Sequence, residues 1–417
     1  MPKRPLFQPF ALFLALAALA VSTRAAGDAP DYTHKDFVTS YWCGPPAAFT
    51  TFERYREIKD ANFTVAFPAY PSATVAQNKA VLDFCQKLGM KAIIHDGRMT
   101  TSIGGSEARK AELDALVKDY ADHPALLGYH VTDEPVAGAF PGLGEVTAHL
   151  RRRDPGHPGY INLLPSWAQE IPGFLGTATY EEYVRRFVET TKPAWLCYDH
   201  YSMLKGGDRP GFFENLEVVR RVSTEAGIPF WNIVLATEHS AYRNLTEPEL
   251  RFEAMQTLAF GARGLVWFTY WSPGEYDKNY AWTHAMINPD GSRDPHYDMI
   301  RAINADVLAM GRELKGAKSV AVTQHGAGAE INIGESPLVA EGGTLTVGAF
   351  RNPDGKSLAL VTNRDYKDAG VAKLQFPRNA AHVERFDPAR RTWSKLDPAG
   401  RSAEIPLPAG GGVLLRW

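Results

Sequence analysis

Cysteine is scarce in this chain: Cys43, Cys85 and Cys197 are the only three among 417 residues. An odd, widely spaced set excludes a disulfide framework, and no Cys-x-x-Cys pair offers a metal site. Each is read as a small buried apolar residue. An excess of charge is missing too. The formal net charge is -2, which gives no electrostatic case for a nucleic-acid or anionic-membrane partner. Neither Gly-x-x-x-x-Gly-Lys-Ser/Thr nor Gly-x-Gly-x-x-Gly occurs, and His-Glu-x-x-His is absent. These gaps remove the usual signatures of nucleotide binding and of helical zinc sites. His95, His130, His200 and His239 show no recognised ligand spacing, so no metal or cofactor is expected.

Long hydrophobic runs are lacking as well, save one. Phe10 to Val21 is apolar, follows Lys3-Arg4 and precedes Ser22-Thr23-Arg24-Ala25. A basic start, a short apolar stretch and small residues at the end read as a secretory signal peptide over residues 1–25, cleaved between Ala25 and Ala26. The stretch is too short for a stable bilayer anchor. The mature protein is therefore expected to be secreted or periplasmic, with no membrane contact after cleavage.

What remains is 45% hydrophobic and 11% aromatic, enough for one large domain with a smaller one. Eight strand-like runs are expected at Phe37–Cys43, Phe63–Phe67, Lys91–His95, Leu127–Thr132, Gly159–Leu164, Ala194–Tyr198, Phe230–Thr237 and Gly264–Trp271. Helix-period segments fill the gaps between them, and Asp298–Leu314 follows the eighth. Strands alternating with helices imply a parallel sheet, and eight nearly continuous apolar strands imply an α/β fold closed as a (β/α)8 TIM barrel over residues 31–328. After that, short alternating runs separated by turn dipeptides such as Asp354-Gly355 predict a small antiparallel β-sandwich over 329–417. It has no cluster of carboxylates with aromatics and is read as a structural appendage.

In such a barrel, chemistry belongs to the carboxyl ends of the strands. Gly128-Tyr129-His130-Val131-Thr132-Asp133-Glu134-Pro135 is the most informative stretch. A β-branched and aromatic strand stops at two adjacent carboxylates and a proline, which has no N–H for the ladder. The other strand ends supply Trp42, His95, Asn162, Asp199, His200, Tyr201, Glu238, Tyr270 and Trp271, and the loop after strand eight adds Tyr276 and Trp282. Aromatic faces with carboxylates and a few His suit an uncharged polyhydroxylated ligand better than a phosphate.

Asp133-Glu134-Pro135 resembles the Asn-Glu-Pro motif of clan A glycoside hydrolases, and Trp267-Phe268-Thr269-Tyr270-Trp271 resembles their aromatic strand eight. A barrel followed by a β-domain is similar to family 42 β-galactosidases and their relatives. The resemblance implies Glu134 as acid/base and Glu238, past strand seven, as nucleophile. Asp133 departs from the usual Asn, and Glu238 lacks the family's surrounding residues. Leu196-Cys197-Tyr198-Asp199 also resembles the strand-six motif of family 18 glycosidases, and an adjacent Asp-Glu pair resembles family 20 hexosaminidases. That likeness implies a substrate-assisted reaction in which Asp133 orients an acetamido group, Glu134 is the acid and Asp199 with Tyr201 supports the intermediate.

The expected protein is thus an exported glycoside hydrolase acting on an oligo- or polysaccharide. Glu134, Glu238 and Asp199 are its candidate catalytic residues. Asp133, Trp42, His95, Asn162, His200, Tyr201, Tyr270, Trp271, Tyr276 and Trp282 are its candidate substrate contacts. A carbohydrate-binding barrel that has lost catalysis is the competing class.

Overall fold

The computed structural model describes residues 36–67, 73–275, 277–380, 382–398 and 400–417. The expected signal peptide and Tyr276 lie outside the described residues. Eight parallel strands are present: β1 Val38–Tyr41, β2 Val65–Ala66, β3 Lys91–Ile94, β4 Leu126–Asp133, β5 Gly159–Asn162, β6 Leu196–Asp199, β7 Phe230–Leu235 and β8 Gly264–Phe268. Helices α1 Phe52–Asp60, α2 Val75–Lys87, α3 Glu107–Tyr120, α4 Phe140–Arg153, α5 Tyr180–Thr191, α6 Phe212–Ala226 and α7 Glu247–Ala259 fill the intervals. Helix α8, Pro295–Glu313, follows β8.

The expected closed ladder is not continuous. The strands form two four-stranded parallel sheets, β2-β3-β4-β5 and β1-β8-β7-β6. The seams have an identifiable chemistry. Between β5 and β6, Leu163 forms a single parallel bridge with Tyr198, and its N–H donates to Cys197 O at 2.9 Å. Between β1 and β2, Thr64 N–H donates to Thr39 O, while Thr39 N–H donates to the Thr64 hydroxyl at 3.1 Å. A side-chain oxygen there takes the place of a ladder carbonyl.

Local sequence explains the helices. In α5 the buried Tyr180, Tyr183, Val184, Phe187 and Thr191 recur at helical spacing and form one stripe. At the start of α7, Glu249 Oε2 accepts from Thr246 N–H at 2.8 Å, closing a capping box over Thr246-Glu247-Pro248-Glu249.

The C-terminal sheets begin earlier than residue 329. Strand β9, Lys318–His325, follows α8 almost directly and pairs antiparallel with Leu345–Arg351. No linker marks the boundary, which is why composition did not reveal it. One seven-stranded and one three-stranded antiparallel sheet enclose a separate core that includes Leu345, Val347, Val361, Leu374 and Ile405. This unit packs on the outer face of α7. Gln256 donates to the Thr362 hydroxyl at 2.9 Å. Gly348 runs so close to α7 that a Cβ there would overlap the Ala259 carbonyl.

Candidate active site

The site is built at the ends of β4, β5 and β6. Asp133 lies beside Asn162 in the β4–β5 register, and Asp199 closes β6. Asn162 Nδ2 donates to Asp133 Oδ1 at 3.0 Å and to Asp199 Oδ1 at 2.8 Å. One amide therefore ties the two acids together. Glu134 is the next residue, and its backbone N–H donates to Asn162 O at 2.9 Å. Its φ of 45° is left-handed, a conformation that a residue with a Cβ adopts at a cost of about 1 kcal/mol or more. That turn brings the Glu134 side chain back to hydrogen-bond with Asp199. Two carboxyl groups thus converge on Asn162, and the third, that of Glu134, joins them through Asp199.

Their protonation follows from this crowding. Asp199 is buried, whereas Asp133 and Glu134 are exposed at the open mouth. Loss of water, then the neighbouring Glu134, pushes the Asp133 carboxyl up to about 7, against the lowering effect of the Asn162 bond. Loss of water raises Glu134, opposed by its hydrogen bond with Asp199. Asp199 is pushed well above the usual carboxylate range by burial, then by the charges of Glu134 and Asp133. Two carboxylates in contact cannot both ionise cheaply, so the contact favours keeping one proton between Glu134 and Asp199.

An aromatic wall rises from these acids. Tyr201, whose phenol is raised by burial and then by Asp199, Glu134 and Asp133, stacks on Phe268 at 5.3 Å and meets Tyr242 edge-on at 5.6 Å. Phe268 touches His239, which stacks on Trp282 with ring centres 4.3 Å apart. Trp282 then meets Tyr280 edge-on, and Tyr280 is 48% exposed at the rim. The wall thus runs from the acid pair outwards to solvent and offers flat apolar faces along its length.

Several expected contacts are placed elsewhere. Glu238 lies on the outer rim, where it pairs with Lys205 at 3.0 Å and accepts from the Thr283 hydroxyl at 3.2 Å. Lys205 draws its carboxyl below the ordinary range, opposed by partial burial. Trp42 is buried beneath the mouth, stacked on Phe67 at 4.4 Å and set edge-on to His130. His95 is paired with His130, Nδ1 to Nδ1 at 3.0 Å, and burial followed by His95 drives the His130 imidazole down to about 3. His200 is fully buried against α6, with Nδ1 against Asn215 Oδ1 at 2.9 Å. Burial lowers it to about 4.

Tyr270 and Trp271 correct the expected strand eight. The strand ends at Phe268, and the chain then pairs with the segment after β1 through Tyr270 N–H to Trp42 O and Trp271 N–H to Cys43 O. This turn carries Tyr270 between Tyr41 and Phe63, and Trp271 between Phe49 and the Arg54 guanidinium. Both are core residues away from the acids. Among the described residues no group of three or more His, Cys, Asp and Glu is arranged to hold a metal ion.

Tyr242 and Arg209 were not anticipated. The signal was Lys205-Gly206, a two-residue turn between Met203–Leu204 and Gly207–Asp208. It folds the post-β6 loop back so that Arg209 N–H donates to Ser202 O at 2.7 Å, beside Tyr201.

Neither protein-family models nor the curated proteins match this chain. Solved structures do resemble it. One described as a glycoside hydrolase superposes with a TM-score of 0.54 at 11% identity, covering 91% of this chain and 92% of the other. A glucosidase from Croceicoccus marinus gives 0.50 at 12% identity, covering 92% and 95%. A β-galactosidase from the psychrophilic Marinomonas ef1 gives 0.50 at 10% identity, covering 66% of this chain. The match spans only 60% of that enzyme's length. At these identities the likeness is one of architecture: the chain has a glycoside hydrolase-like fold with a C-terminal sheet unit.

Proposed function

We propose that this chain is an exported glycoside hydrolase that cleaves O-glycosidic bonds of an oligo- or polysaccharide, with Glu134 as its general acid. The reading takes the eight strands as a (β/α)8 barrel with two loosely bonded seams. The observation that carries it is the contact between the Glu134 and Asp199 carboxyls at the mouth of the strands, which raises both and favours retention of a proton between them. Glycoside cleavage needs such a proton for the departing oxygen. The aromatic wall beginning at Tyr201 gives a sugar ring an apolar face to rest on.

Asp199 acts through Glu134. Carboxyl groups in hydrogen-bond contact lie closer than the ~5–5.5 Å that separates the acid and nucleophile of a retaining pair. Asp199 is therefore a positioning residue that shares and returns the proton. The nucleophile must come from elsewhere. Glu238 is held by Lys205 on the outer rim, so using it would require breaking that pair. Asp133 is adjacent to the acid and titrates near neutral pH. This favours the substrate-assisted route. Glu134 gives its proton to the glycosidic oxygen, and the substrate's 2-acetamido oxygen attacks the anomeric carbon while Asp133 orients the acetamido N–H. Water then opens the resulting ring, with Glu134 taking the water's proton.

The test is hydrolysis of aryl N-acetylhexosaminides beside plain aryl hexosides and a polysaccharide panel, by wild type and Glu134→Gln. Turnover that collapses in the variant supports the reading. Equal turnover in both removes Glu134 from the chemistry, and sugar binding without turnover leaves a carbohydrate-binding barrel. An intact mass beginning at Ala26 would support export.

A further inference from the structure

Several cations around the strand ends are neutralised by nearby acids. Arg98 pairs with Asp96 and Asp119. Arg243 pairs with Asp208 and Glu249, and Lys205 with Glu238. Arg209 has no ion pair among the described residues. It is held instead by neutral groups. Its guanidinium lies 4.4 Å from the Trp167 ring centre and 5.5 Å from that of Tyr242. Nη1 donates to the Tyr242 hydroxyl at 3.1 Å and to the Tyr201 carbonyl at 3.5 Å.

These contacts occupy one nitrogen of the fork. Nε–H and the two Nη2–H groups have no partner among the described residues, and the side chain is only half-buried. A rigid, aromatic-clamped guanidinium with one free edge is shaped for two parallel hydrogen bonds to a planar or tetrahedral oxyanion. Its position is equally specific. Tyr242, which it contacts, senses the charges of Asp199 and Glu134, and Tyr201 belongs to the wall. Through Tyr201 and Tyr242, Arg209 therefore lies at the Tyr201 end of the aromatic wall, the end nearer the acid pair. The protons kept by the carboxyl cluster reduce its repulsion of an anion.

We propose that Arg209 forms an anion subsite of the candidate active site, so that the substrate is an acidic saccharide whose uronate carboxylate or sulfate ester is bound by the Nε–Nη2 edge. The inference rests on the glycosidase reading for the site's occupant, but its test does not need turnover.

Binding is measured by calorimetry on the full mature chain carrying Glu134→Gln. The probes are a hyaluronan tetrasaccharide, a sulfated chitotetraose and neutral chitotetraose, all carrying the 2-acetamido group. At least one acidic probe should bind more tightly than the neutral one. Adding Arg209→Gln should reduce that preference about 10- to 100-fold, the range for a lost charge-assisted pair. Arg209→Lys, which keeps the charge and loses the fork, should fall between. The preference should also weaken with added salt. Selective binding of the hyaluronan probe identifies a uronate, and selective binding of the sulfated probe identifies a sulfate ester. Failure of both acidic probes to bind, or a preference unchanged in a folded Arg209→Gln protein, overturns the proposal. An Arg209-dependent preference without hydrolysis by wild type would sustain the subsite and reject the glycosidase reading. Hydrolysis of neutral glycans alone, insensitive to Arg209, would do the reverse.

Discussion

Glu134 and Glu238 sit past the ends of facing strands and differ in everything that decides chemistry. Glu134, set by a left-handed backbone, stands at the open mouth beside two other acids and has its carboxyl raised. Glu238 is turned to the rim, where Lys205 and Thr283 hold it as a carboxylate. A strand-end position is thus insufficient to define an acid. The sign of the charge beside it separates a proton donor from a structural anion.

The largest expected break in this comparison is Glu134→Gln. Removing a general acid should lower kcat by about 10²- to 10⁴-fold on glycosides with poor leaving groups, and less on activated aryl glycosides. Equal loss on both would remove the acid role. A second contrast separates core from wall. Trp271→Ala should cost about 3–5 kcal/mol of stability, read as a fall in denaturant midpoint, because it empties a buried site between Phe49 and Arg54. Trp282→Ala, at the half-exposed end of the wall, should leave the midpoint nearly unchanged and raise KM.

Asp199→Asn sharpens the shared-proton argument. Two touching carboxyls hold their last proton more tightly than one, so the alkaline limb of the pH–rate profile should move to lower pH in the variant. An unmoved limb would mean that no proton is shared. Asp133 gives a linked effect on stability. It titrates near 7 in the folded chain and near 4 when unfolded. Between those values the folded state holds the extra proton, so this contribution is full below pH ~4 and lost by about pH 7. The Tm of wild type relative to Asp133→Asn should therefore fall from pH 4 to pH 8. The smallest effect belongs to Glu238→Gln, which loses a half-exposed rim pair and should change kcat by less than about 3-fold.

Much of the architecture was legible because periodicity reports burial. All eight parallel strands and eight helices fall in the stretches where apolar spacing placed them, with α8 starting three residues before the expected Asp298. Asp133, Glu134, Asn162, Asp199 and Tyr201 were legible from their strand-end positions. The errors have physical sources. Gly264–Trp271 reads as one apolar run, yet the chain turns after Phe268 to pair with the segment following β1, which sends Tyr270 and Trp271 into the core. His200 lies one residue past β6 and points under α6, because neighbours at a strand end alternate sides. Tyr242 and Arg209 sit in loops whose placement depends on the Lys205-Gly206 turn and contacts across the mouth. Periodicity carries no information about those. The early start of the sheet unit at Lys318 was hidden because β9 follows α8 without a linker.

The central claim is that chemistry resides in Glu134 with Asp199 and not in Glu238. The most direct measurement is the rate of glycan hydrolysis by wild type, Glu134→Gln and Glu238→Gln on the same unactivated substrate. Collapse is expected in the first variant and near-wild-type turnover in the second. Collapse in Glu238→Gln, with its azide-rescued activity giving a glycosyl azide of inverted configuration, would contradict it and restore Glu238 as the nucleophile.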